Sequence, residues 1–293
     1  VRSFRGEDLK PGTTHLYRIP ALTVTKKGTL LAFAEARRDN ASDHGNIDTV
    51  LRRSEDGGKT WGPELIVADD GDNTMGNPCP VVDQDTGRIW LHLSWNGHKS
   101  PEGGIKPGFG KDSRRGFVTY SDNDAKTWAP PKEITKQVKK ENWSWYATGP
   151  GGGIQLTRGK HKGRLIIPAT HGAHAPDKGR SNHSFIVYSD DHGKTWNIGE
   201  PTLAGHNEST AVELENGNVM LNSRLYGGAT SQENHRGVSI SGDGGKTFNR
   251  HYFDKTLIQP RCQGSIRRVR WAMNGKPGVI AFSNPASPWR THV

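Results

Sequence analysis

With 293 residues, 37 of them Gly and 17 Pro, the chain is turn-rich and long enough for one sizeable all-β core over residues 1–293. No apolar run is long enough to span a bilayer as a helix, which argues against a membrane-spanning role. The formal net charge of +10 comes from Lys and Arg scattered through turns, with no helix-turn-helix, zinc-finger or RNA-binding pattern to aim them. It therefore suits a solvated surface that concentrates anionic small substrates better than a nucleic-acid partner.

The chain opens at Val1 without a signal-like segment, so its natural start is expected to have been removed. The first strand with chemical content is His15-Leu16-Tyr17-Arg18-Ile19-Pro20-Ala21-Leu22. Simple alternation sends Arg18 to one face and Tyr17 and Ile19 to the other, while Pro20 disfavours helix. A second strand, Leu30-Leu31-Ala32-Phe33, runs into the polar loop of residues 34–46, which holds Glu35, Arg37, Arg38, Asp39 and Asp43. Loops at one rim of a repeated β-fold are where sites are built.

Asp48-Thr49-Val50-Leu51-Arg52-Arg53 then leads into Ser54-Glu55-Asp56-Gly57-Gly58-Lys59-Thr60-Trp61. This pattern, S-x-D-x-G-x-T-W, returns at residues 189–196 and, with Phe248 as its last residue, at 241–248. A worn copy at 121–128 has Asn123 for Asp and Ala125 for Gly. Ser and Asp side chains bond nearby backbone, Gly supplies a positive φ and the aromatic anchors the turn, so each copy predicts a hairpin between antiparallel strands. Recurrence at the spacing of one four-stranded sheet predicts a β-propeller in which these turns are staples rather than catalytic groups.

Residues 75–83 begin another strand and include Cys79. With Cys262 far away and no metal-ligand spacing, two buried free thiols are expected, a disulfide being left open. Trp143, Trp145 and Tyr146 precede a glycine-rich turn and suit either stacking on sugar faces or wedging between blades. Residues 149–153 form no phosphate loop, because no Lys-Ser/Thr and no helix follow. Further on, Asn207-Glu208-Ser209 holds one carboxylate of interest. Glu213, in a strand-like Val-Glu-Leu run, is expected to face solvent. Asn222-Ser223-Arg224 closes a strand-like run, and Ser283-Asn284-Pro285-Ala286-Ser287-Pro288-Trp289-Arg290 lies near the end.

The repeated boxes resemble the Asp boxes of sialidases, and Tyr17-Arg18-Ile19-Pro20-Ala21-Leu22 resembles the arginine motif near the start of sialidase catalytic domains. Nearly the whole chain shares the resemblance. It implies a six-bladed propeller, with a closing blade left incomplete here, and a retaining exo-α-sialidase that releases terminal sialic acid from glycoconjugates. Arg18, Arg224 and Arg290 match the triad that grips the substrate carboxylate, a task for a planar, permanently charged fork. Arg37 matches a further substrate-binding arginine through its E-x-R setting, with Arg38 left open beside it. Asp43, preferred to Asp39, matches the acid/base, and Glu208 matches the base that activates a nucleophilic tyrosine. A neutral phenol approaches an anomeric carbon bearing a carboxylate more easily than a carboxylate would.

None of Tyr17, Tyr120, Tyr146, Tyr188, Tyr226 and Tyr252 has the family's nucleophile context, so that tyrosine is expected beyond residue 293. No metal or organic cofactor is called for. The expected partner is a sialylated glycan, in a secreted, periplasmic or lysosomal setting, with oligomeric state left open. Three alternatives share these residues: a sialidase-like glycan-binding propeller without hydrolysis, a trans-sialidase, and a hydrolase of another nonulosonic acid.

Overall fold

In a computed structural model, the protein is described over residues 14–175, 179–226 and 234–290. It forms two compact units, one ending at Gly152 and one beginning at Gly153. Both are built from strands. No helix among the described residues is long and apolar enough to cross a membrane.

In the first unit β1 (Leu16–Val24), β2 (Leu30–Arg37), β3 (Ile47–Ser54) and β4 (Leu65–Ala68) pair antiparallel in chain order. A second meander follows, β5 (Thr74–Val82), β6 (Ile89–Asn96), β7 (Arg115–Ser121) and β8 (Lys132–Glu133), joined to the first by one parallel bridge from Ile47 to Thr74. A single turn of helix, α1 (Thr135–Val138), and β9 (Trp143–Thr148) complete the unit. In the second unit the same plan gives β10 (Ile154–Gln155), β11 (Leu165–Ala175), β12 (Gly179–Ser189) and β13 (Asn197–Ile198). Next come β14 (His206–Glu213), β15 (Val219–Leu225), β16 (His235–Ser241) and β17 (Arg250–Ile258), then the pair β18 (Ser265–Arg270) and β19 (Val279–Ser283).

Strands buried on both faces carry near-continuous apolar runs. In β2, Leu31, Phe33 and their neighbours pack with Leu51, Leu91 and Leu93 in one core. Leu156, Ile166, Ile186, Ala211 and Leu221 form the core of the second unit. Each such side chain contributes about 1.5–3 kcal/mol by leaving water.

All four boxes lie between the third and fourth strands of a sheet, as their turn chemistry predicts. In the copy at 241–248, Asp243 accepts from Lys246 N (3.0 Å), Thr247 N (2.9 Å), Thr247 Oγ1 (2.7 Å) and Ser241 Oγ (2.8 Å). Ser241 Oγ also accepts from Gly245 N at 2.7 Å, and Gly245 sits at φ 94°. The worn copy keeps this geometry. Ala125 takes φ 61° with its N–H on Ser121 Oγ at 3.0 Å, and the Asn123 amide bonds Thr127 N at 3.0 Å and Thr127 Oγ1 at 2.8 Å. Trp128 then packs edge-on to Phe33, with ring centroids 5.8 Å apart.

Partial burial pushes the Asp243 carboxyl up, yet the bonds from Thr247, Ser241 and Lys246 outweigh it and leave the group below the ordinary range. Removing it strands several donors, so Asp243→Ala is expected to cost about 1–3 kcal/mol, measured by urea denaturation. A separate pH dependence comes from buried histidines. Burial pushes His92 down from 6.5 to about 3, and burial together with nearby cationic groups pushes His206 down to about 4. The unfolded chain takes up these protons below pH 6.5 and the folded chain refuses them, so their contribution is complete above 6.5 and lost as pH falls towards 3–4. The thermal midpoint should fall across that window in calorimetry, and the slope should be shallower in a His92→Gln, His206→Gln double variant.

Candidate active site

The predicted residues of the first unit gather where β2 gives way to its loop. Glu35 and Arg37 are two apart on a strand and so share a face. Both are buried, and Glu35 Oε2 accepts from Arg37 Nη2 at 2.8 Å and from Nε at 3.1 Å. Arg37 also donates from Nη1 to Ala41 O at 2.6 Å, and its Nη2 lies 2.7 Å from Asp43 Oδ1. Every edge of this guanidinium is thereby used, so it cannot turn. Asp43 is the exposed end of the chain of contacts: its side chain is 72% accessible against 2% for Arg37. Arg18 Nη1 reaches the same Asp43 oxygen at 3.4 Å, from a side chain 42% accessible.

The expected alternation in β1 holds for Tyr17 and Arg18, since Arg18 pairs with Glu35 while Tyr17 pairs with Ala36 and packs with Ala34 and Ala36, and it breaks just after them. Ile19 has φ 53° and the pairing with β2 slips between Arg18 and Ala21, a bulge that begins immediately after Arg18. Positive φ in a β-branched residue stores roughly 1–3 kcal/mol of strain, a feature that clusters at functional positions. Tyr17, on the face opposite Arg18 as expected, donates to Glu64, and burial followed by the bond to Glu64 and its charge pushes its hydroxyl up to about 12.

The neighbouring arginines differ in their contacts. Arg38 donates from Nε to Asp48 Oδ2 at 2.7 Å and from Nη1 to Thr14, whereas Arg37 faces Glu35 and Asp43. Asp39 lies against Gly45 of its own loop. The second Glu35 oxygen, Oε1, accepts from Asn77 N at 2.8 Å across to β5. That approach requires glycine next door, since a Cβ on Gly76 would stand 2.4 Å from Oε1.

In the second unit Glu208 Oε2 and Arg224 Nη1 are 2.6 Å apart, with side chains 20% and 15% accessible. Arg224 lies over the Tyr226 ring at 4.8 Å. Behind them sits Arg236, fully buried, which donates from Nε to Asn222 Oδ1 at 2.6 Å and from Nη1 to Cys262 O at 2.8 Å. Burial pulls Arg236 down to about 9 against the opposing pull of Glu208, so it stays charged at neutral pH. Arg290, predicted as a carboxylate ligand, commits Nε to Pro260 O at 3.3 Å and Nη2 to Arg261 O at 2.7 Å, in the segment that also holds Arg236.

Two further expectations are corrected. Glu213 is buried rather than solvent-facing: it accepts from Thr157 N, Thr157 Oγ1 and Arg158 N, each at 2.8 Å, and so secures that turn. Both cysteines are free thiols, but Cys262 is half-buried where burial was expected. Sequence reading missed Glu35, Arg236 and the Asn77 contact. Only Glu35 carried a signal, the two-residue spacing from Arg37 on a strand.

Comparison with known proteins agrees with the repeats. The BNR repeat-like domain family matches residues 28–287. The exo-alpha-sialidase of Aspergillus fumigatus is 33% identical, over 93% of this chain and 65% of that protein. The sialidase of Micromonospora viridifaciens is 34% identical, over 92% of this chain and 42% of its own length, and mouse Sialidase-3 is 35% identical, over 87% and 63%. This chain thus spans about half to two thirds of these relatives. Among solved structures, Hadza microbial sialidase Hz136 superposes with a TM-score of 0.83 at 31% identity, over 94% of this chain and 54% of that one. The leech intramolecular trans-sialidase superposes at 0.80, over 94% and 56%, and at 17% identity speaks for the fold alone. The fold is all-β and of the sialidase β-propeller type.

The buried Glu35–Arg37 pair generates its own test. Removing one partner leaves a desolvated charge, so Glu35→Leu should cost about 3–5 kcal/mol, while Glu35→Leu with Arg37→Met should cost less than the single change. Equilibrium unfolding of the set in urea checks both the size and the ordering.

Proposed function

We propose that this chain, which belongs to the sialidase family with its BNR repeat domain, hydrolyses terminal α-linked sialic acid from glycans with retention of configuration. The observation that carries the proposal is Asp43, a carboxyl held outward by a buried and fully bonded Arg37 at 2.7 Å. A general acid must be available to substrate yet fixed in position, and a group on a polar loop gains that rigidity only from such a backing. In this reading Asp43 protonates the leaving oxygen and then assists the attacking water.

Arg18, Arg224 and Arg290 take the role of recognising the substrate carboxylate, and Arg37 supports the acid. Glu208 takes the role of base to a tyrosine nucleophile that remains unassigned. Its 2.6 Å contact with Arg224 supports its carrying a negative charge. The oxocarbenium-like transition state can be stabilised by such positioned side chains.

The direct assay is release of free sialic acid from sialyl-lactose; binding without turnover would instead establish a glycan-binding propeller, and transfer to a second sugar a trans-sialidase. Two variants should fail differently. Arg224→Lys keeps a charge but loses the fork. It should weaken substrate and a carboxylate-bearing analogue together by roughly tenfold to a hundredfold, the worth of one charge-assisted hydrogen bond. Asp43→Ala should lower turnover by about 10²–10⁴-fold on natural glycosides, and far less on activated aryl sialosides whose leaving oxygen needs little protonation. Equal losses on the two substrate types would remove Asp43 from the acid role.

A further inference from the structure

A buried guanidinium at the far side of Asn77 is so placed that it decides which way that side-chain amide faces. Arg114 is 3% exposed and immediately precedes β7. It donates from Nη2 to Asn77 Oδ1, from Nη1 to Asn96 Oδ1 and from Nε to Tyr146 O at 2.8 Å, and its Cζ lies 4.0 Å from the centroid of the Trp145 ring. The socket is braced from below by Lys139, also buried, which donates to Arg114 O at 2.9 Å and to Gly108 O at 2.8 Å.

Arginine has only donors, so the Asn77 atom that meets it must be the oxygen, and the Nδ2 amino group must point the other way. Three observations show that this amide is held at one spot. Asn77 sits in the left-handed region at φ 54°, inside the β5 bulge between Gly76 and Cys79. Its N–H is bound by Glu35 Oε1 at 2.8 Å, and its carbonyl accepts from Thr148 Oγ1. The residue is half-buried. Through Glu35 it is one residue removed from the Arg37–Asp43 pair.

We infer that Arg114 is a positioning residue that locks the Asn77 amide with its NH₂ outward, as a fixed donor to an acceptor oxygen of the bound sugar. This rests on the sialidase reading. A freely rotating amide would offer donor and acceptor alternately and lose part of its hydrogen-bond energy to that ambiguity; an amide pinned by a donor-only partner does not. Arg114 then acts on substrate only through Asn77, beneath the surface that substrate would touch.

The test is steady-state kinetics of the protein on an aryl sialoside, with thermal midpoints measured alongside. Asn77→Asp keeps the shape and the bond to Arg114 but has no donor to present. It should raise KM by about five- to tenfold, the worth of one neutral hydrogen bond, with kcat within about threefold and no loss of thermal midpoint. Arg114→Gln should raise KM in the wild-type background by about threefold or more, yet change it by less than about twofold in an Asn77→Ala background, because the amide it orients is gone. A merely structural Arg114 would raise KM equally in both backgrounds, and that result, or an Asn77→Asp enzyme with KM within about twofold of wild type, would overturn the inference. Should Arg114→Gln not fold, Asn77→Asp alone decides. If the wild-type protein binds an unsaturated sialic acid analogue but turns nothing over, the hydrolase reading fails while the same comparison is made in Kd. Wild-type protein that does neither overturns both.

Discussion

The buried ion pair between Glu35 and Arg37 is the constraint on which the arrangement of the first unit depends. Glu35 uses one oxygen to hold Arg37 within β2 and the other to hold the backbone of Asn77 in β5, so a single carboxylate ties two meanders together. Two charges taken out of water cost several kcal/mol each and recover that cost only with near-complete hydrogen bonding. The completeness seen here is therefore what makes the pair tolerable. It also passes rigidity outward, because a guanidinium with all edges bonded leaves Asp43 one position against which to rest.

The same economy recurs with cations. Arg37, Arg114, Lys139 and Arg236 are all buried in a chain with an excess of positive charge. Lys139 and Arg236 are satisfied largely by backbone carbonyls and side-chain amide oxygens. Burial, with the nearby charges of Arg114 and Arg115, pulls Lys139 down to about 8, and burial pulls Arg236 down to about 9. Such residues organise loops. Lys139 gathers Gly108 and Arg114 on one ammonium, and Arg236 gathers Asn222 and Cys262 on one guanidinium.

How far the molecule could be read from its sequence follows the distance over which each feature acts. The boxes were readable because every bond in them closes within eight residues, and even the copy with Asn123 and Ala125 could be recognised for what it is. Arg18, Arg37 and Asp43, singled out by the motifs that flank them, lie in contact with one another. Glu213 was misread because the donors that bury it, Thr157 and Arg158, lie more than fifty residues away and leave no trace near it. Alternation in β1 held for Tyr17 and Arg18 and broke at Ile19, where a bulge leaves no mark in the pattern of residue types. Arg236 resembles any strand arginine until Cys262 is folded against it.

Three leading strands share one irregularity, with pairing slips at Arg18/Ala21 in β1, Gly76/Cys79 in β5 and His206/Ser209 in β14. Besides aiming side chains, a bulge acts against mispairing. A regular strand can slide along its neighbour by two residues and still present the same face, whereas a strand with one extra residue at a fixed point loses its match wherever else it is set. In a chain made of similar repeats, each leading strand has several plausible partners during folding. An interruption that fits only one of them is a label of identity as well as a piece of a site.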